Sequence, residues 1–260
     1  MNIKYSLLAA ILMAASGQSV QADTDTSKAF LDQFSVHGTV TLSSDYRSRG
    51  FSKSSHKPSV QGGMILAHDS GAYLMLWGAS ATTPNNGSVE ADAILGYTWR
   101  IDDKNSLDFF YADVNYPVAA NKEFTPNGKS ADFGEYGVMY KRTGTLAAKD
   151  NLSAAVYYSP KYLFDSGNEW YFTGEYSFPI AENINLFGSA GYTKQDSVEK
   201  FQLGSVYDSY SGKDNYFDYK VGTRVDFKGV TGELAWVGNN IKSHDSMYDD
   251  RVYVSLTKNF

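Results

Sequence analysis

The connections of this chain constrain its fold more than any single segment does. Taken in order they run long, short, long, short to the end. The long ones cover 47–57, 81–88, 117–130, 161–167, 194–215 and 239–250; between them lie 69–71, 101–105, 143–150, 179–182 and 228–229. A Greek-key sandwich has no reason to keep that alternation. An up-and-down barrel does, because its short turns gather at one end, its longer loops at the other, and an even strand count returns both termini to the turn side.

The segments between the connections alternate with the period of a strand. In Arg251–Phe260, Val252, Val254, Leu256 and Phe260 share one parity while Tyr253, Ser255, Thr257 and Asn259 share the other. In Val89–Arg100, Val89, Ala91, Ala93, Leu95, Tyr97 and Trp99 oppose Glu90, Asp92, Thr98 and Arg100. Phe34–Tyr46 and 168–178 behave alike, and the whole pattern predicts about twelve strands with one apolar face each. The predicted fold is therefore all-β: a single up-and-down antiparallel transmembrane β-barrel.

The first 22 residues read differently. Lys4 precedes an apolar run from Tyr5 to Ala15, and Val20-Gln21-Ala22 resembles a cleavage site. This is the pattern of a cleavable signal peptide, too short to span a bilayer as a helix. The expected organisation is a signal peptide over 1–22 and a barrel domain over 23–260. No run after Ala22 approaches the ~18 apolar residues of a membrane helix. Membrane insertion would thus require a closed barrel, since lipid satisfies no backbone hydrogen bonds.

Composition removes several functions. The chain has no cysteine, which excludes disulfides, thiolate metal sites and cysteine nucleophiles. Its formal net charge is −6, and loss of Lys4 with the signal takes it to about −7, so it has no global attraction for nucleic acid. Tyr (20) and Phe (15) are abundant enough to supply aromatic girdles at two membrane interfaces.

Several blocks carry a family resemblance. Ser44-Asp-Tyr-Arg-Ser-Arg-Gly-Phe-Ser-Lys53, Lys57-Pro-Ser-Val-Gln-Gly-Gly63, Asp69-Ser-Gly-Ala-Tyr73 and Trp77-Gly-Ala-Ser80 resemble the TorF-type putative porins of proteobacteria. Tyr158-Ser-Pro-Lys-Tyr162, Gly174-Glu-Tyr-Ser-Phe-Pro179 and Gly191-Tyr192 are similar to that family too. The resemblance implies export by the signal peptide, a barrel in the outer membrane of a Gram-negative bacterium and a porin role, but no particular solute.

Charged residues on the polar parity are the expected pore lining: Glu90, Asp92, Arg100, Glu175, Asp218, Lys220, Arg224 and Glu233. On the lipid face a Lys or Arg near the midplane would cost about 2–4 kcal/mol. In a water-filled lumen they would set selectivity, and their slight acidic excess predicts weak cation preference at most. The expected function is passive diffusion of small hydrophilic solutes. The alternative is a non-conducting barrel with a structural or surface role through its extracellular loops.

Arg47 and Arg49 are expected on the loop rim, within reach of anionic solutes or lipopolysaccharide phosphate. Asp208, Asp214, Asp245, Asp249 and Asp250 have no metal-loop spacing and read as solvated carboxylates, so no metal and no cofactor is expected. Of the four histidines only His37 lies firmly in a strand. A barrel enzyme could pair it with a serine on an adjacent strand, yet no nucleophile motif accompanies it and no enzymatic activity is expected. The expected partners are outer-membrane lipid, lipopolysaccharide, small solutes and the barrel-assembly machinery, the last through the strand ending at Phe260.

Overall fold

A computed structural model describes residues 31–82, 88–117, 129–196, 213–243 and 245–260. Twelve strands close into one antiparallel barrel: β1 (Phe34–Ser43), β4 (Ser59–His68), β5 (Ala72–Ser80), β6 (Val89–Arg100), β7 (Asn105–Asn115), β8 (Phe133–Thr143), β9 (Asn151–Ser159), β10 (Glu169–Ala181), β11 (Ile184–Gln195), β12 (Asn215–Phe227), β13 (Val230–Asn239) and β14 (Arg251–Asn259). Each wall strand pairs with its neighbours in sequence, and β14 pairs with β1. The expected up-and-down barrel is the observed one. Two further strands, β2 (Arg47–Ser48) and β3 (Phe51–Ser52), pair only with each other.

Closure continues one residue beyond β14. Gly38 and Phe260 exchange backbone hydrogen bonds at 2.7 and 3.0 Å, so the ladder runs to the last residue. A side chain at position 38 would collide with the Phe260 ring, which leaves glycine as the residue that lets the ring lie over the wall.

Parity then sorts the side chains. Val40, Leu42, Leu95, Leu186, Val221 and Leu234 point outward and stay exposed. Such an apolar surface around the whole wall far exceeds what a soluble monomer presents. Aromatic residues concentrate at its two edges. Trp99, Phe178, Phe227 and Phe260 lie towards the short turns. Towards the long loops, Tyr158 and Trp170 pack at 4.4 Å and Tyr192 and Phe217 at 4.7 Å. Two aromatic bands flanking an apolar belt are the pattern of a lipid-embedded barrel.

Several strand ends shift by a residue or more from the sequence expectation, and three of the shifts have a clear structural cause. β1 stops at Ser43 rather than Tyr46, because Asp45 and Tyr46 turn into the barrel and are buried there. β10 runs through Pro179 to Ala181, and a register shift between them absorbs the missing N–H. β11 extends to Gln195, whose N–H donates to the Asp214 carbonyl at 2.8 Å. Parts of the expected connections 81–88, 117–130 and 194–215 lie outside the described residues.

The β8–β9 turn is organised by one carboxylate. Asp150 accepts hydrogen bonds from the N–H groups of Thr145 (2.6 Å), Leu146 (2.5 Å) and Ala147 (2.8 Å), and from the Tyr176 hydroxyl (2.7 Å). Burial by itself would raise its pKa, but these four donors hold it well below the usual carboxylate range. A depressed folded-state pKa contributes stability that is complete above the unfolded value near ~3.9 and is lost as pH falls towards the folded value. The expected outcome is protection of the Thr145, Leu146 and Ala147 amides, measured against the intrinsic exchange rate at each pH, that holds down to about pH 4 and falls only in stronger acid. In Asp150→Asn the same three amides should exchange faster across the whole range.

Candidate lumenal site

The inner wall is charged differently at its two ends. Towards the long loops it presents carboxylates: Glu90 and Asp92 on β6, Glu135 on β8, Glu169 on β10 and Asp218 on β12. Towards the short turns the charge is mixed, with Arg100 on β6, Lys141 on β8 and Arg224 on β12 beside Asp108 on β7, Glu175 on β10 and Glu233 on β13. Between them lie aromatic rings, with Phe110 against Tyr157 at 5.6 Å and Tyr157 against Tyr171 at 5.8 Å.

The connection from β1 to β4 folds into the acidic end. Its β2–β3 hairpin turns on Arg49 (φ +48°) and Gly50 (φ +83°), two positive φ values in succession as a two-residue hairpin loop requires. Gly50 is obligatory for a second reason: a Cβ there would meet Asp218 at 2.6 Å and the Gly238 carbonyl at 2.7 Å. The hairpin tip thus abuts β12 and β13, and the Asn239 amide donates to the Gly50 carbonyl at 2.8 Å.

From that tip the Arg49 side chain meets the wall opposite β1 and β4. Its guanidinium donates to Glu135 at 2.5 Å and to Glu169, while its centre lies 4.5 Å from the Tyr171 ring. Lys53 donates to Glu90 at 2.9 Å and to the Tyr116 hydroxyl at 2.8 Å, and the Tyr46 hydroxyl donates to Glu90 at 3.0 Å. Arg47 turns back to bond the carbonyls of Gly50 (2.6 Å) and Asp249 (2.9 Å). Asp45 accepts from the hydroxyls of Ser52 (2.6 Å) and Ser54 (2.7 Å), which stiffens the connection itself.

Apolar contacts complete the cap. Phe51 packs with Tyr216, Ile241 and Tyr248 in one buried cluster. Tyr162, Leu163 and Phe164, from the β9–β10 connection, pack with Phe133, Ala131 and Tyr116 in another. Phe164 is fully buried.

The eight residues assigned to the lumen by parity divide into separate groups. Glu90 belongs to the hairpin contacts. Asp92 is beside it, with Oδ1 enclosed and lacking a hydrogen-bond partner. Asp218 accepts from the Tyr171 hydroxyl at 3.2 Å. Arg224 joins Glu175 (2.6 and 3.0 Å) to Glu233 (2.7 Å), and Lys220 pairs with Glu233. Arg100 lines a cavity at the turn end.

Arg47 and Arg49 are not on a solvated rim. Their side chains keep only 4% and 12% of their exposure: Arg49 finds its acceptors on the lumenal wall, and Arg47 finds them in the loops, at Asp45 and the carbonyls of Gly50 and Asp249. Glu135, Glu169 and Lys53 are not among the site residues the sequence singles out. The alternation of Tyr136 and Val138 against Glu135, and of Trp170 against Glu169, is the signal that would place both carboxylates inward; Lys53 has no such signal.

The remaining candidates do not assemble into a reactive centre. His37 contacts Ser35 at 3.1 Å, a neighbour on its own strand rather than across the sheet. Among the described residues no cluster of His, Asp and Glu has metal-binding geometry. Asp214 pairs with Lys194, Asp245 caps Met247 and Asp249 approaches Arg251. Asp250 accepts from the Asn239 N–H and the Tyr219 hydroxyl. Asp208 and His244 lie outside the described residues.

Fold and site together define a closed β-barrel of the outer-membrane kind, with a polar lumen crossed by the barrel's own first loop. The chain belongs to the family described as "Bacterial protein of unknown function (Gcw_chp)", which matches residues 30–260. No curated protein matches it. Among solved structures, a membrane protein from a study of in-meso crystallization is similar over 86% of this chain and 83% of its own, at 10% identity and a TM-score of 0.51, a likeness of fold alone. The NanC porin (11% identity, 85% and 97% covered, TM-score 0.49) and the KdgM porin in complex with disordered oligogalacturonate (10%, 86% and 98%, 0.49) are also similar.

Removing Arg49 would leave Glu135 and Glu169 buried without their cation, which typically costs about 3–5 kcal/mol. Arg49→Gln should lower unfolding stability in detergent by that order. Adding Glu135→Gln and Glu169→Gln should restore most of the loss, since no uncompensated charge then remains. Equal stability of the single variant and the parent in urea titrations would contradict this account.

Proposed function

We propose that this protein is an outer-membrane porin-like channel for small hydrophilic solutes, gated by the connection that carries the β2–β3 hairpin. The observation that carries the reading is the way the hairpin is held. It makes no ladder bonds to the wall, and its principal attachments across the lumen are the Arg49 and Lys53 ion pairs. Side-chain pairs can be exchanged for water without opening the barrel, whereas a wall strand cannot be withdrawn.

The same proposal includes the TorF-type porin assignment, export directed by Met1–Ala22, and insertion by the barrel-assembly machinery through the strand ending at Phe260. Outer-membrane lipid and lipopolysaccharide would contact the apolar belt and its aromatic edges. The second reading is a non-conducting barrel acting through its outer loops. The buried Phe51, Tyr216, Ile241 and Tyr248 cluster favours it, because these rings seal the hairpin as a core would.

Planar-bilayer recordings separate the two. The parent protein should conduct weakly, and Arg49→Gln combined with Lys53→Gln should raise the mean conductance several-fold. A combined variant that folds, inserts and carries no more current than the bare membrane would remove the channel reading in favour of the second.

A further inference from the structure

The Arg49 clamp has a counterpart of opposite sign at the other end of the lumen. In the clamp, Glu135 and Glu169 lie on alternate strands: Glu169 registers with Ser159 of β9, and Tyr136, next to Glu135, registers with Tyr158. Two carboxylates whose Cα atoms stand roughly 10 Å apart, two strand spacings, converge on one guanidinium. At the turn end, Arg100 registers with Ser106 and Ser106 with Lys141, so two cations on alternate strands flank a serine. Lys141 in turn registers with Ser153, whose hydroxyl-bearing side chain shares the inner face.

These residues line a cavity of about 720 Å³, together with Lys104 from the β6–β7 turn. Of the three acids lining the cavity, one is neutralised by a cation from outside it: Glu175 is bonded by both terminal nitrogens of Arg224. Asp102 accepts from the N–H groups of Lys104 and Asn105 and from the Asn105 amide and remains a turn carboxylate, and Asp103 stands exposed at the rim. Arg142 donates to Asn105 at 3.2 Å. Among the described residues, Arg100, Lys104 and Lys141 have no carboxylate within salt-bridge distance. The lining thus sets four cations, Arg100, Lys104, Lys141 and Arg142, against the two carboxylates Asp102 and Asp103, an excess of positive charge.

We propose that the turn-end mouth of the lumen is a binding site for a small polyvalent oxyanion, a phosphate or a polycarboxylate. Arg100 and Lys141 close on it from two strands, Lys104 from below, and the Ser106 and Ser153 hydroxyls donate between them. Charged donors on both sides of a hydroxyl suit an anion with several acceptor oxygens rather than a single halide. The site stands independently of conduction: it is open at the turn end, while the hairpin occupies the loop end.

Isothermal titration of the full chain in an uncharged detergent tests this, with inorganic pyrophosphate and citrate as separate probes and chloride as the background salt. Saturable binding of at least one probe is expected, weakened about tenfold in Arg100→Gln and in Lys141→Gln by loss of a charge-assisted contact. Lys141→Arg should retain it. Lys242→Gln, which removes an exposed cation at the loop end, should leave it unchanged. If Arg100→Gln fails to fold, judged by heat-modifiable migration, Lys104→Gln and Lys141→Gln carry the test. Absence of saturable binding of both probes by the parent protein would overturn the proposal. So would an equal loss in Lys242→Gln and Lys141→Gln, which would make the effect one of net charge. Pyrophosphate binding without citrate binding would restrict the ligand to phosphates.

Discussion

Everything in this molecule depends on the pairing of β14 with β1. An open sheet of twelve strands would leave two rows of unpaired N–H and C=O groups, tolerable in water and prohibitive in hydrocarbon. Closure removes both edges at once and makes inside and outside a matter of parity alone. Val252, Val254 and Leu256 then face outward because Tyr253, Ser255 and Thr257 must face inward. The Gly38–Phe260 bonds extend that closure to the last residue, so the terminal aromatic is held on the wall.

Closure also creates a confined polar space, and the charge pattern within it is matched to the first loop. The acidic end of the wall receives a hairpin carrying Arg47, Arg49 and Lys53, while Arg100 and Lys141 stand at the far end. In the reverse arrangement the hairpin would meet like charges in a low-dielectric environment and would be expelled. The axial separation of charge thus explains where the loop rests. It also changes the meaning of a lumenal charge count: a slight acidic excess summed over the wall conceals a loop end whose acids are partly offset by Arg49 and Lys53, and a turn end where Arg100 and Lys141 stand outside the Arg224 and Lys220 ion pairs.

The barrel was legible in the sequence because its determinants are local. Period-two alternation and connection length identify a wall strand and its direction without reference to the others, and the inward placement of Glu90, Arg100 and Glu233 followed from parity alone. The hairpin was not legible, because its place depends on pairings between residues 86 and 120 positions apart, Arg49 with Glu135 and Glu169. Read alone, 47–57 is a polar loop with glycine and serine, indistinguishable from one that extends into solvent. Its basic residues opposite a ring of carboxylates, and the aromatic Tyr46 and Phe51 among polar neighbours, become informative only after the wall has been closed around them.

The backbone of Arg49 shows which partner specifies the other. A non-glycine residue in the left-handed region costs of order 1–3 kcal/mol and persists only where the surroundings over-determine it. Within the hairpin the Arg47 and Asp45 contacts would survive with glycine or asparagine at position 49, and either would relieve the strain. What they could not supply is a guanidinium long enough to meet Glu135 and Glu169 on the wall opposite β1 and β4. The hairpin turn sets the left-handed conformation, and the two carboxylates with the face of Tyr171 account for an arginine, rather than glycine or asparagine, standing in it. A side chain selected by the wall it meets ties the position of the loop to the charges of that wall, Glu135 and Glu169.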